Sequence, residues 1–157
     1  MMKSPSQQDL SKLPHTLQVY FALFCAKQVA HLVKPKHKVV VDKAIETVEL
    51  WLDGKATVEE CRAAAITAYI ATATAYATAT ATATAYAAAY AAYAAAYAAY
   101  AAAYAAYAAA AYYAANAAAN AANAAAYTDK QAIVEAQWEY YKELLAFDTI
   151  VEDVLLA

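Results

Sequence analysis

The chain has 157 residues, a formal net charge of −3, 64% hydrophobic residues, 2 Cys and 1 Gly. A single Gly excludes glycine-rich phosphate loops and dinucleotide fingerprints, two Cys without CxxC or Cys/His ligand spacing give no metal motif or disulfide framework, and the mild acidity gives no support to general nucleic-acid binding, which wants a basic face. Such thiols read as small buried hydrophobes of a cytoplasmic protein, with a Cys25–Cys61 disulfide as the alternative.

Residues 1–13 are polar and read as a flexible tail. Met1-Met2-Lys3-Ser4-Pro5 leads into Gln7-Gln8-Asp9 rather than an apolar run, so no secretory leader is expected. Pro14 suits a first helical turn. Beyond it Leu17, Tyr20, Phe21, Phe24, Val29 and Leu32 recur at helical spacing, until Lys34-Pro35-Lys36-His37 stops the helix. A second helix is expected from about Lys38 to Leu52, with Val41, Ala44, Ile45, Val48, Trp51 and Leu52 on its apolar face. Asp53-Gly54 closes it, with Gly54 in the left-handed stop position. Thr57-Val58-Glu59-Glu60 is a capping box that starts a third helix.

Between Arg62 and Asp129 there is no charge, no Gly and no Pro. The stretch is Ala with Tyr, Thr and Asn. From Thr72 to Tyr86, Thr or Tyr alternates with Ala, a strand-like period, but Ala favours helix and nothing offers a hairpin turn. The Thr residues, confined to 67–84, lack the helical period that an ice-binding face would need. Tyr86, Tyr90, Tyr93, Tyr97, Tyr100, Tyr104 and Tyr107 then alternate spacings of four and three, which is a heptad stripe. Tyr69 and Tyr76 share the phase of Tyr90, Tyr97 and Tyr104. The stripe resumes as Tyr113, Asn116, Asn120, Asn123 and Tyr127, one residue out of register, so a turn is expected near Ala108–Tyr112. The uncharged stretch exceeds a membrane span, but its hydroxyls, its Asn and its lack of large aliphatics argue against insertion.

Thr128-Asp129-Lys130-Gln131 reads as a second capping box. The helix after it carries Val134, Trp138, Tyr141 and Leu145 on one face, and Asp148 is expected to cap a separate short helix bearing Val151, Val154 and Leu155. Charge is uneven: residues 1–62 hold nine basic and seven acidic side chains, and residues 128–157 two basic and seven acidic.

Two structural uses of the stripe are open, with Tyr inside between helices or with Ala inside and Tyr at the seam edges. The functional use is recognition, because Tyr supplies contact area at low entropic cost. The candidate binding residues are therefore Tyr86, Tyr90, Tyr93, Tyr97, Tyr100, Tyr104, Tyr107, Asn116, Asn120 and Asn123. Lys34, Lys36, Lys38 and His37 form a basic turn able to touch an anion. His15, His31 and His37 lack the spacing of a helical metal site, and Cys25 and His31 lie out of phase on one helix. No catalytic residue, metal or cofactor is expected.

The segment Phe21-Ala22-Leu23-Phe24-Cys25-Ala26-Lys27-Gln28-Val29-Ala30-His31-Leu32, the basic Pro-containing linker, Lys43-Ala44-Ile45-Glu46, Trp51-Leu52-Asp53-Gly54-Lys55 and Cys61-Arg62-Ala63-Ala64-Ala65 together resemble small bacterial and phage-borne immunity proteins of toxin systems. The resemblance covers residues 17–66 and continues only as composition. It implies an all-α, non-enzymatic protein whose partner is a toxin or a defence component.

The sequence thus predicts one all-α helical domain over 1–157. Two short amphipathic helices (14–56) meet a broken Ala/Tyr/Asn-rich array (57–127), and C-terminal helices (128–157) close the core. The expected function is sequestration of a protein partner. The alternatives are a self-assembling homo-oligomer or filament and, more weakly, a nucleotide sponge.

Overall fold

The computed structural model describes residues 2–77, 83–105, 107, 109–125 and 129–156, and among them the fold is all-α, with no strand. The helices are α1 (Gln7–Leu10), α2 (His15–Val29), α3 (Pro35–Leu52), α4 (Val58–Ala77), α5 (Ala83–Ala103), α6 (Ala109–Ala124) and α7 (Lys130–Leu156). A 3-10 turn, Ala30–Leu32, links α2 to α3.

The helices lie in two layers. In one, α5 sits between α4 and α6. Arg62 near the start of α4 meets Tyr104 just past the end of α5, and Tyr69 meets Tyr93, Tyr97 and Tyr100, so α4 and α5 run antiparallel. In the other layer α3 lies against α4 and α5, and α2 against α5 and α6, while α1 touches α6 and α7 rests on α2 and α6. One straight helix over 57–107 would be about 75 Å long at 1.5 Å per residue. The chain instead divides it into two helices of about 30 Å each, a length closer to that of α2 (about 22 Å) and α3 (about 27 Å).

Local signals set most boundaries. Pro35 takes the first turn of α3, which therefore begins three residues before the expected Lys38. Gly54 ends α3 with φ 71°. At α4 the capping box is complete: the Thr57 N–H donates to Glu60 Oε2 at 2.7 Å, and the Glu60 N–H donates to Thr57 Oγ1 at 3.1 Å. The Thr57 N–H bond, joined by the Thr57 hydroxyl on the same oxygen at 3.1 Å, holds the Glu60 carboxyl below its usual range.

Several expectations are corrected. Residues 2–13 are held on the bundle rather than trailing from it. Ser6 and Asp9 cap α1 reciprocally, Leu10 and Leu13 are buried, the Trp138 indole N–H donates to the Lys3 carbonyl at 2.7 Å, and the Tyr141 hydroxyl donates to the Asp9 carbonyl at 2.9 Å. Two leucines in a polar run are enough to anchor it. The turn after the Tyr stripe comes earlier than expected: α5 ends at Ala103, Tyr107 donates to the Tyr104 carbonyl at 2.9 Å, and Tyr112 lies inside α6. Ala108 lies outside the described residues, as do Thr78, Thr80, Thr82, Tyr127 and Thr128. Asp129 caps α7 by accepting from the Ala132 N–H at 3.2 Å. Asp148 caps nothing; α7 runs through it as one 27-residue helix, because no breaker interrupts the helical pattern there.

The core has two textures. Around α2 it is conventional, with Phe21, Val19, Val29, Val41 and Val48 fully buried. Around α5 it is methyl on methyl: Ala89, Ala91, Ala94, Ala95, Ala98, Ala101 and Ala102 are all sealed from solvent. Ala contributes little area per residue, but small contact faces let helix axes approach to the short end of the usual range. Cys25 and Cys61 are buried and not bonded to each other, and burial pushes the Cys61 thiol up to about 11.

Candidate binding face

The heptad stripe of α5 emerges on one side of the bundle, between α4 and α6. Every Ala from Ala87 to Ala103 is buried, while Tyr86, Tyr90, Tyr93, Tyr97, Tyr100 and Tyr104 are half-buried. Of the two structural arrangements, the one with Ala inside and Tyr at the seam is therefore found.

The rings form a continuous surface. Tyr93 and Tyr97 are 6.4 Å apart between centroids, as are Tyr97 and Tyr100, Tyr100 and Tyr104, and Tyr104 and Tyr107. Tyr69 of α4 stands edge-on to the row, 5.6 Å from Tyr93 and 6.3 Å from both Tyr97 and Tyr100. On the other flank Tyr113 of α6 stacks on Tyr100 at 5.2 Å and lies 5.3 Å from Tyr104. The Arg62 guanidinium closes one end over the Tyr104 ring. Tyr107 is the most open member, 62% exposed.

The crowding affects acidity. Burial raises the Tyr97, Tyr100 and Tyr113 phenols above their ordinary value, and neighbouring tyrosines add to the rise. Each neutral phenol therefore resists ionisation and stays both donor and acceptor across the ordinary pH range. The face offers flat aromatic area with hydroxyl tips on a rigid methyl-packed support. That chemistry suits contact with another macromolecular surface.

Asn116 and Asn123 open onto a different cleft. Asn116 Nδ2 donates to the Tyr112 carbonyl at 2.9 Å, and Asn120 Nδ2 to the Asn116 carbonyl at 2.8 Å. Asn116 and Asn123 line a cleft on α6 whose other wall is the N-terminal segment around Lys3, Ser4 and Pro5. Asn120 follows Tyr113 by one heptad and so shares its side of α6. The basic turn is also separate. Lys34, Lys36, His37 and Lys38 sit at the start of α3 in the other layer, and Lys38 pairs with Asp42 at 3.0 Å. Burial, then the charges of Lys36 and Lys34, lower the His37 pKa.

Tyr69, Tyr113 and Arg62 belong to the face although sequence reasoning did not place them in the site. Tyr69 carried a signal, since it shares the heptad phase of Tyr97. Tyr113 carried only the register slip, and Arg62 none. No protein-family model, curated protein or solved structure matches the chain. Among the described residues no helix is long and apolar enough to cross a membrane.

Proposed function

We propose that this chain is a non-enzymatic binding protein that neutralises or sequesters a protein partner, as immunity proteins do, and that the phenolic face makes the contact. One observation carries the reading. Tyr69, Tyr93, Tyr97, Tyr100, Tyr104 and Tyr113 converge from three helices on one surface. Tyr and Arg are enriched among residues that dominate interface energetics, and rings already held against each other lose little freedom on binding. The resemblance over residues 17–66 points to a toxin or defence component as the partner.

The test uses the purified product of the adjacent gene as probe. Tyr93→Ser, Tyr97→Ser and Tyr100→Ser should each weaken binding by about 10-fold or more, the loss typical of an interface anchor. Asn116→Ser should leave it unchanged. Binding that survives the combined triple Tyr replacement in a chain of unaltered helicity would sink the reading.

A further inference from the structure

One side of α6 is left open. Tyr112, Asn116, Ala119 and Asn123 are spaced by four, three and four, so they share a side of the helix over about 16 Å. Ala119 is exposed in the middle of that side, and its methyl leaves a hollow. The N-terminal segment lies alongside: the Ser4 hydroxyl reaches the Ala118 carbonyl at 3.5 Å, and the Trp138 indole holds the Lys3 carbonyl. Lys130 and Val134 line the cleft from α7. Its volume is about 610 Å³, within the range of pockets that take small organic molecules.

The charge of the cleft has one sign. Lys3 and Lys130 line it and no acid does. Among the described residues neither ammonium has an ion-pair partner. The acids nearest in sequence are committed elsewhere: Asp9 to Ser6 and Lys12, Asp129 to the Ala132 N–H, and Glu135 to Gln131. Lys130, Val134 and Trp138 succeed each other every fourth residue on one side of α7, and Trp138 holds Lys3. The two lysine stems therefore start about 12 Å apart along the helix, a gap that two flexible four-carbon chains can close over one anion. Amides supply the middle. Asn116 Nδ2 is spent on the Tyr112 carbonyl, which leaves its Oδ1 as an acceptor, and the Asn123 amide has no partner among the described residues. At the far end Tyr112 is 49% exposed and is steadied edge-on by Tyr113 at 5.3 Å.

We infer that this cleft binds a small planar organic anion, with a phosphate or carboxylate head between Lys3 and Lys130 and a ring against Tyr112. The order of groups selects that class. Lys130 opens the helix that follows α6, so it stands by the Asn123 end, away from Tyr112. Between them run amides and the methyl floor of Ala115 and Ala119, closed by Val134. A neutral ligand would leave two ammonium groups without a counter-charge, and a bare inorganic anion would leave the methyl floor wet. A cation would meet only like charge. The basic turn at the start of α3 is less open to an anion, because Lys38 is already paired with Asp42. No residue of α5 lines the cleft, so the site stands independently of the phenolic row and of the protein-binding reading.

The experiment is calorimetric titration of the full chain with two probes, adenosine monophosphate and naphthoate. At least one should bind at a single site with a Kd of about 100 μM or tighter. Binding of the nucleotide alone assigns a phosphate head, and binding of naphthoate alone a carboxylate head. The neutral counterparts adenosine and naphthamide, and inorganic phosphate, should each bind about 10-fold more weakly or worse, since each lacks one half of the recognition. Lys3→Glu/Lys130→Glu should weaken the bound probe by about 100-fold, the scale of two lost charged contacts. Ala119→Trp, which fills the hollow, should weaken it by about 10-fold or more. Lys3 and Ala119 are exposed and Lys130 half-buried, so the helices should persist in circular dichroism. Lys34→Glu/Lys36→Glu in the basic turn and Tyr97→Ser in the phenolic row should leave the titration unchanged. Failure of both probes to bind overturns the inference. So does equal binding of the neutral counterparts, or a loss in Lys34→Glu/Lys36→Glu as large as that in the cleft variants, which would mean that any exposed lysine serves.

Discussion

The guanidinium carbon of Arg62 lies 5.6 Å from the centre of the Tyr104 ring. Arg62 is the last charge before the long neutral stretch, and it ends over the phenols that the stretch presents. A cation over an aromatic face at a solvent-accessible site contributes about 0.5–1 kcal/mol. A double-mutant cycle of Arg62→Ala with Tyr104→Leu, read by urea denaturation, should give a coupling of that size. A coupling indistinguishable from zero would show that the two are merely adjacent.

The methyl-packed centre predicts intolerance to size. Ala98 is sealed from solvent in the middle of α5. Ala98→Leu should cost about 1–3 kcal/mol or more, because neighbouring helices must separate to admit it. Tyr107→Phe on the open rim should change stability by less than about 0.5 kcal/mol. Thermal melts of the two variants make the comparison.

The N-terminal segment should behave as core. Leu10 is fully buried, so Leu10→Ala should cost about 2–5 kcal/mol. A free tail would give no change in the denaturation midpoint.

How much of this was legible in the sequence depends on the kind of signal. Gly54 and the Thr57–Glu60 box act within one turn of chain, and each appears where local chemistry puts it, whereas Pro35, read only as a stop, also opens α3. The division into α4 and α5 has no such mark, because an Ala/Thr run favours helix at every position and only tertiary packing decides where it folds back. Leu10 and Leu13 were hidden by polar neighbours. The phenolic row was readable as a periodicity, but its flanks were not: Tyr113 and Arg62 reach Tyr104 from other helices, and no spacing rule connects them.

Gln137 gives a test of buried polarity. Its side chain is fully buried, and its Nε2 donates to the Ala118 carbonyl at 3.1 Å. Gln137→Glu should cost about 3–5 kcal/mol at neutral pH, where an ionised carboxylate cannot donate and lacks a counter-charge. Burial would raise its folded pKa above the unfolded value near 4.3. The deficit should therefore shrink as pH falls below the folded pKa and be smallest below about pH 4. Denaturation of variant and wild type side by side over that range reads it.

Alkaline conditions act on the phenolic face. Tyr97, Tyr100 and Tyr113 have folded pKa values above the ordinary 10.0. A raised acid is bound more tightly to its proton in the folded chain. Its contribution is thus full below the unfolded value of about 10 and is lost as pH rises through the folded value. Phenolate absorbance should show a late-titrating class, and helicity should fall along with it. Titration of every Tyr at the ordinary value would contradict the crowding.

The seven-residue rhythm of α5 leaves one problem of alignment for its neighbours to solve. Moved along its axis by one heptad, about 10 Å, the part of α5 from Tyr86 on would lay Tyr86, Tyr90, Tyr93 and Tyr97 where Tyr93, Tyr97, Tyr100 and Tyr104 were, with Ala on Ala between them. From its own side chains the helix could hardly tell the two settings apart. The landmarks that do not repeat must index it: Arg62 on Tyr104, Tyr69 beside Tyr97, and Tyr113 against Tyr100. Those few contacts act as a vernier for an otherwise uniform rod.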